Sequence, residues 1–235
     1  RHEAWESVAR KLAHEIKNPL TPIQLTIDRL RSKYLHLTKN SDNDNFNNHL
    51  ETINKQIKQI ENLVNEFSDF ARMPKPIFKE NDLLKVIIDN ISLLKEIDLS
   101  IDIELKHNEK DFIVICDYEQ MNRVFLNLIK NSIESTQEKY NKSPNFVKKI
   151  DIEITNKNDY IETIITDNGI GFSEENIKNI LKPYFTTKRK GSGLGLSIVN
   201  KIINDHNGTI KFDQKKIGAK ITIKIPKHVD RNFDY

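Results

Sequence analysis

Apolar residues in the first third of the chain recur at steps of three and four: Leu12, Ile16, Leu20, Ile23, Ile27, Leu30, Tyr34 and Leu37. That spacing follows the turn of an α-helix and draws a narrow apolar seam along it. The polar stretch Thr38-Lys39-Asn40-Ser41-Asp42-Asn43-Asp44-Asn45 has no such period and reads as a loop. A second seam runs through Leu50, Ile53, Ile57, Ile60, Val64, Phe67 and Ala71. Two long helices joined by a short loop make an antiparallel hairpin. A lone hairpin cannot cover its seam on both sides, so two are expected to pair into a dimeric four-helix bundle.

Met73-Pro74-Lys75-Pro76 stops the second helix, because proline has no N–H to continue it. The domain boundary is placed there, giving a helical hairpin at 1–74, a second domain at 75–229 and a tail at 230–235. Beyond the boundary the period changes repeatedly. The pattern predicts helices over 82–95, 118–138 and 194–206. It predicts strands over 99–105, 112–116, 149–155, 160–166, 209–213 and 219–225. Few long crossovers separate these strands, so the sheet should be mixed, with helices on one face. The fold class is therefore α+β: a helical hairpin followed by a two-layer α/β sandwich.

Charge adds little. The 37 basic and 34 acidic residues nearly cancel, leaving +3, which gives no argument for nucleic acid. A single cysteine, Cys116, sits in an apolar run, which excludes an internal disulfide and a cysteine zinc cluster. It is expected to be a small buried strand residue. No apolar run approaches the roughly 18 residues that span a bilayer, and no signal peptide opens the chain. No membrane contact is expected of this segment, and a reducing, cytosolic compartment is. Arg1-His2-Glu3-Ala4-Trp5 already has helical character with no cap before it, as in a fragment of a longer protein.

Glycine is the strongest chemical clue. Of seven glycines, five fall in two short boxes, Asp167-Asn168-Gly169-Ile170-Gly171 after a strand and Gly191-Ser192-Gly193-Leu194-Gly195 opening a helix. A glycine-rich turn that opens a helix aims free N–H groups and a positive dipole end outward, which suits phosphate oxygens. The helix before these boxes carries Asn127 and Asn131, four residues apart and so on one face. Their amide oxygens are hard ligands that suit Mg²⁺, and Lys130 can add a point charge for phosphates. A P-loop is excluded by the absence of G-x-x-x-x-G-K-[ST]. The second box stands too late in its domain for a Rossmann unit, and the protein-kinase motif set is missing.

Asn127-x-x-x-Asn131, Asp167-x-Gly169-x-Gly171, Tyr184-Phe185-Thr186-Thr187-Lys188 and Gly191-x-Gly193-x-Gly195 resemble the N, G1, F and G2 boxes of the GHKL (Bergerat-fold) ATPases, and within them the histidine kinases. The resemblance implies that ATP binds through Asn127, Lys130, Asn131, Asp167, Gly169, Gly171, Tyr184, Thr187, Lys188, Gly191, Gly193, Leu194 and Gly195. It implies that Asp167 accepts a hydrogen bond from the adenine amino group and that Asn131 ligates Mg²⁺. It makes 173–192 a lid, on which Lys188, Arg189 and Lys190 could neutralise the triphosphate.

The first helix holds His14-Glu15-Ile16-Lys17-Asn18-Pro19-Leu20. A neutral imidazole is a good nucleophile, and a neighbouring carboxylate that takes its N–H proton sharpens it. Glu15 follows His14 directly, and Asn18 lies one turn on. Asn at position 18 excludes an H-E-x-x-H zinc site. The segment is similar to the H-box of histidine kinases, which implies phosphorylation of His14, Glu15 as base, and a part for Asn18 in phosphatase action. With Thr21-Pro22-Ile23-Gln24-Leu25 and Val64-Asn65-Glu66-Phe67-Ser68-Asp69-Phe70-Ala71-Arg72-Met73-Pro74 it resembles the nitrogen-regulation kinases of the NtrY type. That resemblance implies a homodimer, an NtrX-like receiver domain as partner, and an inner-membrane anchor in the full-length protein.

Overall fold

The computed structural model describes residues 2–34, 40–71, 73–97, 100–182, 185–186 and 193–228. The chain divides into two compact units, the first Arg1–Pro74 with Thr187–Leu194 and the second Lys75–Thr186 with Gly195–Tyr235.

The first unit is a pair of long helices, α1 (His2–Tyr34) and α2 (Asn40–Ala71), packed against each other. The contact is made by one stripe of each seam: Leu20 and Ile27 of α1 against Leu50 and Ile57 of α2, with Ile16 and Phe46 beside them. Each stripe repeats every seven residues, the spacing of a coiled-coil position. Pro19 and Pro22 lie inside α1 without ending it. Each removes a backbone donor, so the carbonyls of Glu15 and Asn18 lose their usual i+4 partner.

One expectation is corrected here. The loop read over 38–45 is helical from Asn40 onward, while 38 and 39 lie outside the described residues. Asn, Ser and Asp suit the first turn of a helix as well as a loop, and polarity alone cannot separate the two.

The second unit is a five-stranded sheet in the order β2-β4-β5-β7-β6, with β2 (Asp102–His107), β4 (Lys149–Asn156), β5 (Tyr160–Asp167), β6 (Thr209–Gln214) and β7 (Ala219–Pro226). Only the β2–β4 pair is parallel, so the sheet is mixed as expected. β1 (Lys79–Asp82) and β3 (Ile113–Cys116) form a separate antiparallel pair. Helices α3 (Leu83–Ile97), α4 (Tyr118–Lys142) and α6 (Gly195–Asp205) make the second layer, with α4 packed against α3, α6, β4 and β5. Strict alternation supplies the core: Ile150, Ile152 and Ile154, then Ile161 and Ile165, then Ile221, Ile223 and Ile225 are all buried. A short helix α5 (Glu174–Ile177), capped by Ser173, follows β5 and packs against β6.

One strand is absent from the sequence reading, and one expectation gains detail. β1 has no alternation to betray it, because Lys79, Glu80, Asn81 and Asp82 are all polar and the strand exists through its pairing with β3. Cys116 is fully buried, and burial pushes its thiol up to about 12, as befits an inert core residue.

Candidate functional site

The site is assembled on α4. Asp117 caps the helix, its Oδ1 accepting from the Gln120 amide at 3.0 Å. One side of α4 is apolar and buried through Met121, Val124, Phe125, Leu128 and Ile129. Along its half-buried edge stand Asn127, Asn131 and Ser135, each four residues from the last.

The first glycine box is pressed onto this edge. The alternation of β5 that buries Ile161, Thr163 and Ile165 also turns its last residue, Asp167, inward beneath α4. Asp167 is only 4% exposed. Its Oδ1 accepts from the Gly169 amide at 2.9 Å and from Ser135 Oγ at 3.4 Å. Burial raises the pKa of this carboxyl, while the Gly169 and Ala219 amides and the Ser135 and Ser132 hydroxyls pull it back. Gly169 is required because a Cβ there would run into Ser135, both side chain and backbone. Gly218, at φ +75°, backs the same turn from the β6–β7 connection, where a Cβ would collide with the Asp167 carbonyl. Asn168 braces it further: Oδ1 accepts from the Lys149 amide at 3.0 Å, and its carbonyl accepts from Lys139 Nζ at 2.6 Å.

The second box meets α4 one turn away. Gly195 opens α6 where a Cβ would stand 3.0 Å from Asn127 Oδ1. Asn127 Nδ2 donates to the Arg123 carbonyl at 2.8 Å, which turns that oxygen toward the start of α6. Gly193 has φ +71°, and Leu194 is fully buried, so the Leu194 side chain serves the core and only its backbone can face a ligand. Lys130 is exposed beside Asn131.

Thus Asn127 with Gly195, and Asp167 with Gly169, are joined by α4, and Asn131 lies between them on the same edge. Gly171, at φ +71°, abuts Gly218 and Gln214. Tyr184, Thr187, Lys188 and Gly191, with Arg189 and Lys190, lie outside the described residues. On α1, Glu15 and Asn18 are exposed, and the His14 side chain lies outside what is described. Ser132, Ser135 and Gly218 were not singled out from the sequence. Ser135 could have been, since it continues the four-residue step of Asn127 and Asn131.

His206 is structural, as expected of most of the seven histidines. It ends the last turn of α6, buried, with Nδ1 donating to the Ile202 carbonyl at 2.8 Å and Nε2 accepting from the Asp117 amide at 3.0 Å. Burial lowers its pKa and keeps the ring neutral. It thereby ties the end of α6 to the cap of α4.

Comparison with known proteins gives the class. Residues 116–229 match the family described as histidine kinase-, DNA gyrase B- and HSP90-like ATPase, and residues 4–76 match the His Kinase A (phospho-acceptor) domain. The chain belongs to the sensor histidine kinases. It is 38% identical over 222 residues to an NtrY-like sensor histidine kinase of Rickettsia conorii, covering 94% of this chain and 36% of that protein. It is 35% identical over 231 residues to the nitrogen regulation protein NtrY of Azorhizobium caulinodans, covering 96% and 29%. Among solved structures, histidine kinase ThkA in complex with response regulator protein TrrA is similar at a TM-score of 0.68 and 26% identity, covering 96% of this chain and 63% of that one. The chain spans about a third of the length of the curated relatives it matches. Among the described residues no helix is long and apolar enough to cross a membrane.

Proposed function

We propose that this chain is the catalytic core of a dimeric sensor histidine kinase that moves the γ-phosphoryl group of ATP to His14 and then to an aspartate of a response-regulator receiver domain. The observation that carries this is one chain holding both a His14-Glu15-x-x-Asn18 helix and a buried carboxylate, Asp167, set in a glycine turn against an asparagine-bearing helix.

In this reading Asp167 accepts from the amino group of adenine. The amides at the start of α6, with Gly191, Gly193 and Gly195, cradle the phosphates, and Lys130 and Lys188 add positive charge. Tyr184 and Thr187 close over the nucleotide from the lid. Asn131 would hold Mg²⁺, which when bound neutralises charge on the terminal phosphates. One imidazole nitrogen of His14 attacks phosphorus in line, the bond to the bridging oxygen of ADP breaks, and Glu15 takes the proton from the other nitrogen. Catalysis of this transfer is mostly positioning and electrostatics, which the two units share out between them. Asn18 serves the reverse removal of phosphate from the receiver. By likeness to its relatives, the receiver is NtrX-like and the full-length protein is anchored in the inner membrane.

The decisive test is incubation with γ-labelled ATP. The chain should acquire acid-labile, base-stable label, and His14→Gln should abolish it while leaving nucleotide affinity within about twofold. Label that persists in the variant places the acceptor elsewhere.

A further inference from the structure

The chain that enters the second unit is fastened where two helices of the proposed nucleotide site meet. The Ile77 amide donates to Asp117 Oδ2 at 2.7 Å, across 40 positions of sequence. A carboxylate acceptor makes this bond charge-assisted, and its length is that of a strong one. The Ile77 side chain is 69% exposed, so the residue is held by its backbone and not by packing. The ring of Phe78, the next residue, meets that of His206 in a T-shaped contact with centroids 5.2 Å apart. β1 begins at Lys79, paired with β3.

Asp117 does two things with one carboxylate. Oδ1 caps α4 through the Gln120 amide, and Oδ2 takes the incoming chain. Its own amide donates to His206 Nε2 at 3.0 Å. His206 directly follows α6, whose first residue is Gly195 of the second glycine box, while α4 carries Asn127 and Asn131. A helix cap needs only one side-chain oxygen, which is why serine caps about as well as aspartate. The second oxygen is surplus to the helix, and Ile77 is where it is used. Five residues stand between Ala71, the last of α2, and Ile77, and two of them are Pro74 and Pro76. Proline fixes φ, so a connection this short carries direction as well as position. From this we infer that Asp117 is a positioning residue for the phosphoryl transfer, its Oδ2 fixing the point and direction at which the connection leaves α4 and α6. The inference rests on the transfer to His14 proposed above. In-line attack on phosphorus tolerates little misalignment, so a loosened anchor costs rate at the reaction step and not nucleotide binding.

Two variants delete the bond from opposite sides. Asp117→Ser keeps one oxygen for the cap and removes the second. Ile77→Pro removes the donor and leaves Asp117 intact. The test uses the full chain, with saturating γ-labelled ATP for the rate and direct titration for affinity. Each variant should label about five- to 50-fold more slowly with ATP affinity within about twofold, inside the roughly 100-fold that a remote 1 Å misplacement can cost. The double variant should be no slower than either single one, because both remove the same interaction. An unchanged rate in either folded variant overturns the inference. So does a loss of affinity that matches the loss of rate, or two losses that multiply in the double variant, since Asp117 would then act only as a cap. Should Asp117→Ser not fold, Ile77→Pro decides alone by the same split between rate and affinity. If the wild type takes up no label, the transfer reading itself falls and takes this inference with it.

Discussion

At the scale of single residues, the proposed nucleotide site is a place where folding and function pull apart. Asp167 occupies a core row of β5 that isoleucines and a threonine otherwise fill. Burial disfavours its charge, which is why its pKa is raised, and only protein donors keep the carboxylate in place. A buried acceptor of this kind gains most when a ligand brings a further donor. Asp167→Asn keeps the Oδ1 acceptor for Gly169 and removes the charge. It should weaken ATP by about 1–3 kcal/mol, roughly 5- to 150-fold. Without nucleotide its melting temperature should not fall, because the desolvation cost of the charge is gone. Calorimetric titration and thermal unfolding read the two effects separately, and a large loss of stability would assign Asp167 to the fold instead. His206 has the opposite logic. Its folded pKa lies below its ordinary value of 6.5. The neutral ring therefore stabilises the fold fully above about pH 6.5, and that contribution is lost as pH falls below it, when the unfolded chain binds the proton first. Urea unfolding between pH 7.5 and 5 should show this acid-side decline, and His206→Gln, whose amide oxygen can accept from the Asp117 amide, should flatten it.

At the scale of elements, the helical hairpin shows what periodicity can and cannot say. The two seams are legible in the sequence, and both helices form along them as far as Tyr34 and Ala71, Leu37 lying outside the described residues. Each seam nevertheless divides into two stripes that the pattern alone does not separate. Leu20, Ile27, Leu50, Ile57 and Val64 are buried, while Ile23, Leu30, Ile53 and Ile60 remain exposed, Ile53 at 45% and Ile60 at 43%. Spacing records that a face is apolar, not whether the hairpin itself or a second copy covers it. The exposed stripe is the face the proposed dimer would bury. Ile53→Glu with Ile60→Glu places four charges across a symmetric interface and removes side chains whose burial is worth about 1.5–3 kcal/mol each. The dimer dissociation constant should rise at least about 100-fold, as read by sedimentation equilibrium, with ATP affinity unchanged. The sheet domain was legible for a related reason. Its central strands β4, β5 and β7 alternate, and Asn127, Asp167 and the glycines announce themselves by type. Ser132 and Ser135 do not, because a serine on a helix is usually unremarkable until the neighbouring turn is seen to rest on it.

At the scale of the whole molecule, the proposed phospho-acceptor stands in one compact unit, while Asn127, Asn131 and Asp167 stand in the other. The separation lets one surface of α1 take part in several reactions in turn. In the proposed reaction, autophosphorylation needs a nucleophile at His14, a base at Glu15 and a delivered γ-phosphate. Removing phosphate from a receiver aspartate instead needs a water held in line as the nucleophile, the aspartate oxygen leaving as the water attacks, with no call on the His14 nitrogen. Asn18, exposed and one turn from His14, has an amide that can hold such a water and is given no part in the first reaction by the proposed mechanism. Its exposure also means that truncation leaves the core of the hairpin intact. Asn18→Ala should therefore keep autophosphorylation within about twofold while slowing dephosphorylation of a cognate receiver at least tenfold, on the order of what a positioned proton-transfer or water-orienting group contributes. Label incorporation into the chain and phosphate release from a prephosphorylated receiver measure the two arms. An equal loss in both would mean that Asn18 only shapes the helix around His14, and the division of labour along α1 would have to be drawn elsewhere.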